Sequence, residues 1–205
     1  MSRWVTRVVR PVLWAGSALP LLWLVRGAVQ GNLGTDPVET IQKVTGLSAL
    51  SFLLGSLAVT PLRQLTGWNV LNRLRRSLGV TAFAYALLHA FSYFVFDQEL
   101  SPVGITQDVV KHPWVLAGFS AFLLLIPLAA TSTGGMVRRL GGKRWQRLHR
   151  LVYVAAVLAV LHFLWLVKRD VTLPLYYIAA LAILLAARFI PRRRAEAAAA
   201  ALAGR

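Results

Sequence analysis

Two histidines stand in stretches apolar enough to sit in hydrocarbon. His89 closes the run RRSLGVTAFAYALLH, and His162 closes LHRLVYVAAVLAVLH, a run that also carries His149 thirteen residues earlier. An unpartnered polar ring in a bilayer core costs several kcal/mol, so an ionisable residue in a membrane span is a functional candidate by default. His89 lies thirteen residues beyond Arg76, and His162 the same number beyond His149. At a rise of roughly 1.5 Å per residue, both sit about 20 Å along helices that enter from the same basic boundary. Equal depth on two helices running the same way lets two neutral imidazoles clamp one haem iron from its two faces. Ala86 and Ala159, each three residues before its histidine, leave room for a flat macrocycle. Phe83, Tyr85, Phe91, Tyr93, Phe163 and Trp165 are available to wall it. The pattern also suits two histidines that tie helices by hydrogen bonds, worth about 1 kcal/mol or less in membrane bundles, or a proton relay or a metal pathway.

The other two histidines read differently. His149 lies at the boundary among Arg144, Arg147 and Arg150, and the residue at matching depth on the other helix is Arg75 or Arg76. Thirteen residues turn a side chain by about 1300°, which leaves His149 about 140° around the axis from His162. A second haem held there by two imidazoles is therefore not expected. His112, in KHPW, precedes a proline at the mouth of the next span and reads as a loop residue. Arg75, Arg76, Arg144, Arg147 and Arg150 form a basic collar. Anchoring to membrane lipid headgroups accounts for most of it. The guanidinium fork also matches haem propionates or a flavin phosphate. A redox group near His149 would shorten the electron's path to a haem lying deeper.

The elements that must hold these residues are membrane helices. The chain has 205 residues, 57% of them hydrophobic, with a mean hydropathy of +0.61. Six windows, at about 10–29, 44–61, 77–96, 113–131, 149–167 and 174–190, approach the ~20 apolar residues that a helix needs to cross a bilayer. The expected fold is all-α, a polytopic six-helix transmembrane bundle over 1–192 with a low-complexity tail at 193–205. The opening MSRWVTRVVR could begin a signal peptide, but its apolar stretch is long and is read as the first span. Of the 23 Lys and Arg, 18 fall at or beside the termini and the loops 62–76 and 132–148, whereas Asp36, Glu39, Asp97, Glu99, Asp108 and Asp170 fall on the opposite side. Positive loops stay in the cytoplasm, which puts both termini there. The net charge of +16 is thus a topology signal and not the footprint of nucleic-acid binding. Absence of cysteine excludes disulfides, thiolate-held iron–sulfur clusters and covalent haem attachment. Short loops leave no space for a nucleotide-binding or hydrolase domain, and no internal repeat stands out.

With these residues in place, the chain resembles the haem-binding membrane subunits of periplasmic methionine sulfoxide reductase systems, within the ferric-reductase and NADPH-oxidase-like transmembrane group. The resemblance runs from TGLSALSFLLGSLAVTPLR through RRSLGVTAFAYALLHAFSYF to GGKRWQRLHRLVYVAAVLAVLHFLW. It implies haem b with His89 and His162 as axial ligands and His149 as a further haem-associated residue, hence one haem or two. It implies FMN near the basic side, with Arg75 and Arg76 as candidates. The role implied is electron transfer without substrate chemistry, in the bacterial inner membrane. Electrons would pass from a cytoplasmic flavin reductase or the quinone pool to a periplasmic molybdenum-cofactor methionine sulfoxide reductase, for which the stretch 97–112 is a docking candidate. A stand-alone ferric reductase, or a haem-free assembly or transport protein, are the competing readings.

Overall fold

The computed structural model describes residues 10–189; the expected tail at 193–205 and the basic residues before Arg10 lie outside the described residues. These form α1 (Arg10–Val29), α2 (Pro37–Thr66), α3 (Leu71–Ser92, continued by a π-helical turn at Tyr93–Asp97), α4 (Pro102–Lys111), α5 (Pro113–Ala130), α6 (Gly134–Leu140), α7 (Gly142–His149), α8 (Leu151–Leu166) and α9 (Thr172–Phe189). All six apolar windows fold as helices. Five of them (α1, α2, α3 with its turn, α5, and α7 running into α8) are long and apolar enough to cross a membrane, and Thr172–Arg188 is a shorter apolar helix.

Local chemistry sets the ends. Asp36 caps α2 by accepting the Glu39 N–H at 2.9 Å, ahead of Pro37, whose missing donor costs nothing in a first turn. Gly67 closes α2 in the left-handed region, φ 71°, where a Cβ would be strained. Two stretches read as loops are helical as well. Ser101 accepts from Gly104 N–H to start α4, and Thr133 accepts from Met136 N–H to start α6. Both are Ser/Thr caps whose helices are too short for hydrophobic windows to register.

The core lies along α2, where Leu50, Leu53, Leu54 and Leu57 are buried together with Ala82, Leu125, Ala155, Ala156, Val160 and Leu181. Helix α2 packs most extensively on α3, and α5 on α8; α3 against α5 joins the two pairs, and α9 covers α2 and α8. Ala82 and Ala155, at 1% and 0% exposure, stand seven residues before His89 and His162. Small residues let helix backbones approach closely where lipid gives no hydrophobic drive for association. Ala155→Leu should therefore overpack this contact and cost about 1–3 kcal/mol. Thermal unfolding in detergent should show a lower midpoint for it than for Val154→Leu, which changes a side chain that is half-exposed.

Candidate functional site

Helices α3 and α8 bring His89 and His162 together. Their ring centroids are 6.1 Å apart and their planes cross at 69°. With a metal–imidazole bond of about 2 Å and a ring radius of about 1.1 Å, two imidazoles on opposite sides of one metal have centroids about 6.2 Å apart. The pair has the spacing of two axial ligands. His89 Nδ1 lies 3.1 Å from the Gln42 carbonyl oxygen, and His162 Nδ1 lies 2.7 Å from that of Trp114. A carbonyl only accepts, so Nδ1 carries the proton in both rings and Nε2 keeps its lone pair for a metal. Among the described residues no group of three or more His, Cys, Asp and Glu could hold a metal ion. Two protein ligands suit a metal whose remaining positions a macrocycle fills, which is the haem that the resemblance implies.

Both rings are seated the same way. A Cβ at Gly46 would lie 3.2 Å from Nδ1 and Cε1 of His89, and one at Gly118 would lie 2.7 Å from Nδ1 of His162. Each glycine stands four residues after the carbonyl that takes the imidazole proton, in QKVTGLSA and WVLAGFSA. One helical turn thus supplies both the acceptor and the gap that admits the ring. The α2–α3 and α5–α8 pairs repeat one device, and the shared pattern, Gly-x-Ser-Ala, is too short to reveal itself as a repeat. Gln42, Gly46, Trp114 and Gly118 are the residues that the sequence reading missed. Their visible signal is a glycine in the apolar interior of a span, where a close approach is the usual reason for one.

The basic end holds a separate cluster. Arg75, Trp145, Gln146, His149, Arg150 and Tyr153 line a cavity of about 170 Å³. His149 stacks on Trp145 with centroids 3.8 Å apart, and its Nδ1 lies 3.1 Å from the Trp145 carbonyl oxygen. Its Nε2 is buried without a hydrogen-bond partner. Trp145 Nε1 donates to Thr131 O at 2.9 Å, which pins α7 across the end of α5. Of the two arginine candidates, Arg75 lines this cavity, while Arg76 is exposed, as are Arg144 and Arg147.

Most of the aromatic wall is spent elsewhere. Tyr85 donates to Ser17 O at 2.5 Å and stacks on Phe52, so it faces α1 and α2. Phe91 and Trp165 are exposed, Tyr93 donates to Asp108, and Phe163 meets Tyr177. Phe83, stacked on Phe122 at 6.1 Å, bridges α3 and α5. Helical rotation of about 100° per residue spreads neighbours of a histidine around the axis, which proximity in sequence ignores. His112 lies between α4 and α5, with Nδ1 2.6 Å from Asp108 Oδ1.

Known proteins resemble this chain over most of its length. The family described as ferric reductase like transmembrane component matches residues 44–160. A protein-methionine-sulfoxide reductase heme-binding subunit MsrQ from Rhodospirillum rubrum is 48% identical over 190 residues, 92% of this chain and 91% of the relative. The proteins of the same name from Azospira oryzae and Yersinia enterocolitica are 46% and 42% identical, over 91% and 88% of this chain and 80% and 91% of theirs.

The glycine seats make distinct demands. Gly118→Ala forces the His162 ring to move and should sharply reduce the haem retained on purification. Gly46→Ala, whose neighbour needs to give by only a few tenths of an ångström, should retain more. Haem-to-protein ratios of the two variants check this order.

Proposed function

Because this chain belongs to the ferric-reductase-like transmembrane family, and within it to the MsrQ haem-binding subunits, we propose that it is a membrane cytochrome b that relays electrons outward to a methionine sulfoxide reductase. The observation that carries this reading is the His89–His162 pair, 6.1 Å between centroids with both Nδ1 atoms committed to carbonyls. A haem b bound between them supplies one-electron storage in its iron. The chain's own residues hold it: His89 and His162 ligate, Gln42 and Trp114 fix the tautomers, and Gly46 and Gly118 fix the ring positions. Hydrogen bonds from ligand N–H to carbonyl raise imidazole basicity and so belong to the tuning of the metal.

The orientation we assign follows the charge asymmetry. The end carrying Arg75, Arg76, Arg144, Arg147 and Arg150 is cytoplasmic, both termini lie on that side, and Asp97, Glu99, Asp108 and Asp170 lie on the periplasmic side of the inner membrane. The electron acceptor is the periplasmic, molybdenum-cofactor catalytic subunit, where methionine sulfoxide is reduced. The donor is a cytoplasmic flavin reductase or a quinone, and it engages the basic end. There we assign the phosphate of an FMN to Arg75, which lines the cavity, with the exposed Arg76 as the second candidate. The cavity beside His149 is lined by Arg75 and Arg150 and offers no second imidazole, so we assign one haem per chain.

A reduced-minus-oxidised spectrum of the purified protein should show sharp b-type bands, and pyridine haemochrome analysis should return one haem per chain; a ratio of two would give His149 a ligand's role. His89→Ala and His162→Ala should each abolish the low-spin spectrum. Crossed imidazole planes, here 69°, produce a strongly anisotropic low-spin ferric signal. Electron paramagnetic resonance of the oxidised protein should show that signal, and the ordinary rhombic signal of parallel imidazoles would contradict the geometry.

A further inference from the structure

His89 and His162 each donate a hydrogen bond from Nδ1 to a backbone carbonyl, but beyond those carbonyls the two branches differ. On the His89 branch, the Gln42 side chain runs on to Asp97, Nε2 to Oδ2 2.6 Å, through an aliphatic stem. On the His162 branch, the carbonyl belongs to Trp114, whose indole lies 4.7 Å from the His112 imidazole, centroid to centroid and tilted by 35°. The His112 side chain is 40% exposed at the acidic end. It is also held still. Asp108 Oδ1 accepts a hydrogen bond from His112 Nδ1 at 2.6 Å, and its Oδ2 accepts from Tyr93 OH at 2.6 Å and from Gln98 Nε2 at 3.3 Å. Helix α4, the π-helical turn and the start of α5 are thereby fastened around one imidazole.

We propose that Trp114 and His112 are the route by which the electron leaves the bundle at its acidic end. The proposal rests on the haem reading above and adds the exit to it. Electronic coupling falls steeply across gaps and far less across covalent and hydrogen-bonded links. From the His162 ring, one hydrogen bond, the Trp114 residue and one ring-to-ring contact reach a partly exposed imidazole. The step would move a single electron: a bound haem would supply it, and an oxidised metal centre of a soluble partner seated over His112 would take up that one equivalent. No bond forms and no proton moves. Trp114 and His112 serve as coupling groups and are not themselves oxidised. Their roles separate from ligation because the His162 hydrogen bond uses the Trp114 backbone carbonyl, which survives any side-chain replacement.

The chain has no cysteine, so Lys111→Cys offers a single thiol next to His112 for a ruthenium–bipyridine photosensitiser. Flash-induced electron transfer between the label and the haem should slow several-fold in Trp114→Leu and in His112→Leu. It should recover largely in Trp114→Phe, and in His112→Leu the absorbance spectrum and midpoint potential should stay those of the parent. From a label at Val103→Cys, on an exposed position nearer the start of α4, neither replacement should matter. Unchanged rates from position 111 in both leucine variants would overturn the route and place the exit at the porphyrin edge. If Trp114→Leu fails to keep its haem, Trp114→Phe and His112→Leu still decide, since equal rates in parent and His112→Leu count against it. An unlabelled parent without b-type bands would instead defeat the cytochrome reading, a separate failure.

Discussion

An imidazole inside a bilayer has two nitrogens and no water, and that constraint organises this protein. One nitrogen must donate and the other must find a donor or a metal. The helix backbone is the commonest acceptor available at that depth, but its carbonyls already receive N–H groups from residues four positions on. A carbonyl has a second lone pair, and it becomes reachable only if the side chain one turn later is missing. Gly46 and Gly118 provide that absence beside Gln42 and Trp114. Once Nδ1 is spent in this way, both Nε2 atoms have their lone pairs free, and the rest of the bundle sets the distance between them.

That distance depends on helix packing. The α2–α3 and α5–α8 pairs each hold one histidine against one glycine, so each pair orients its own ring. Contact between α3 and α5, together with the shared core around Leu57, Ala82 and Ala155, fixes the 6.1 Å between rings. Two nearly rigid half-sites meeting at an interface give precision that a site on loops would lack. The 69° crossing of the imidazole planes follows because each plane is set by its own carbonyl.

Much of this was legible in the sequence, for identifiable reasons. Six apolar windows became helices because membrane thickness imposes a length that hydropathy registers directly. His89 and His162 were found because polarity in an apolar run is costly, and their pairing because thirteen residues from a common boundary gives equal depth. Depth is one-dimensional information, whereas rotation about each axis is not. That is why Phe83 packs inward on Phe122 while Phe91 and Trp165 turn outward to exposed positions, and why Arg75 and Arg76, neighbours in sequence, part company at the basic end. The glycine seats escaped because a glycine in a membrane helix has several common uses, and only the neighbour it admits tells which one applies. Helices α4 and α6 escaped because capping residues announce a helix start without announcing its length.

In the role proposed, the charges that set the orientation would also act on the electron. Among the described residues the only pair within salt-bridge distance is His112 with Asp108, so no described carboxylate neutralises the described arginines of the basic end. Arg188 shows how such a cation is accommodated: it donates to the Leu57 carbonyl oxygen at 3.1 Å and to Tyr153 OH, and its guanidinium lies 4.6 Å from the centre of the Tyr153 ring. In the orientation proposed, an electron moving outward leaves a positive end and approaches a carboxylate-bearing one, which is uphill in the field of the fixed charges. Salt screens exposed charges beyond about 8–10 Å, which limits the opposition to the partly buried groups, Arg75, Arg188 and Asp108. The direction of flow must therefore come from the difference in potential between donor and acceptor. In the orientation proposed, an anionic cofactor at Arg75 would relieve positive charge at the entry side while leaving the exit side unchanged.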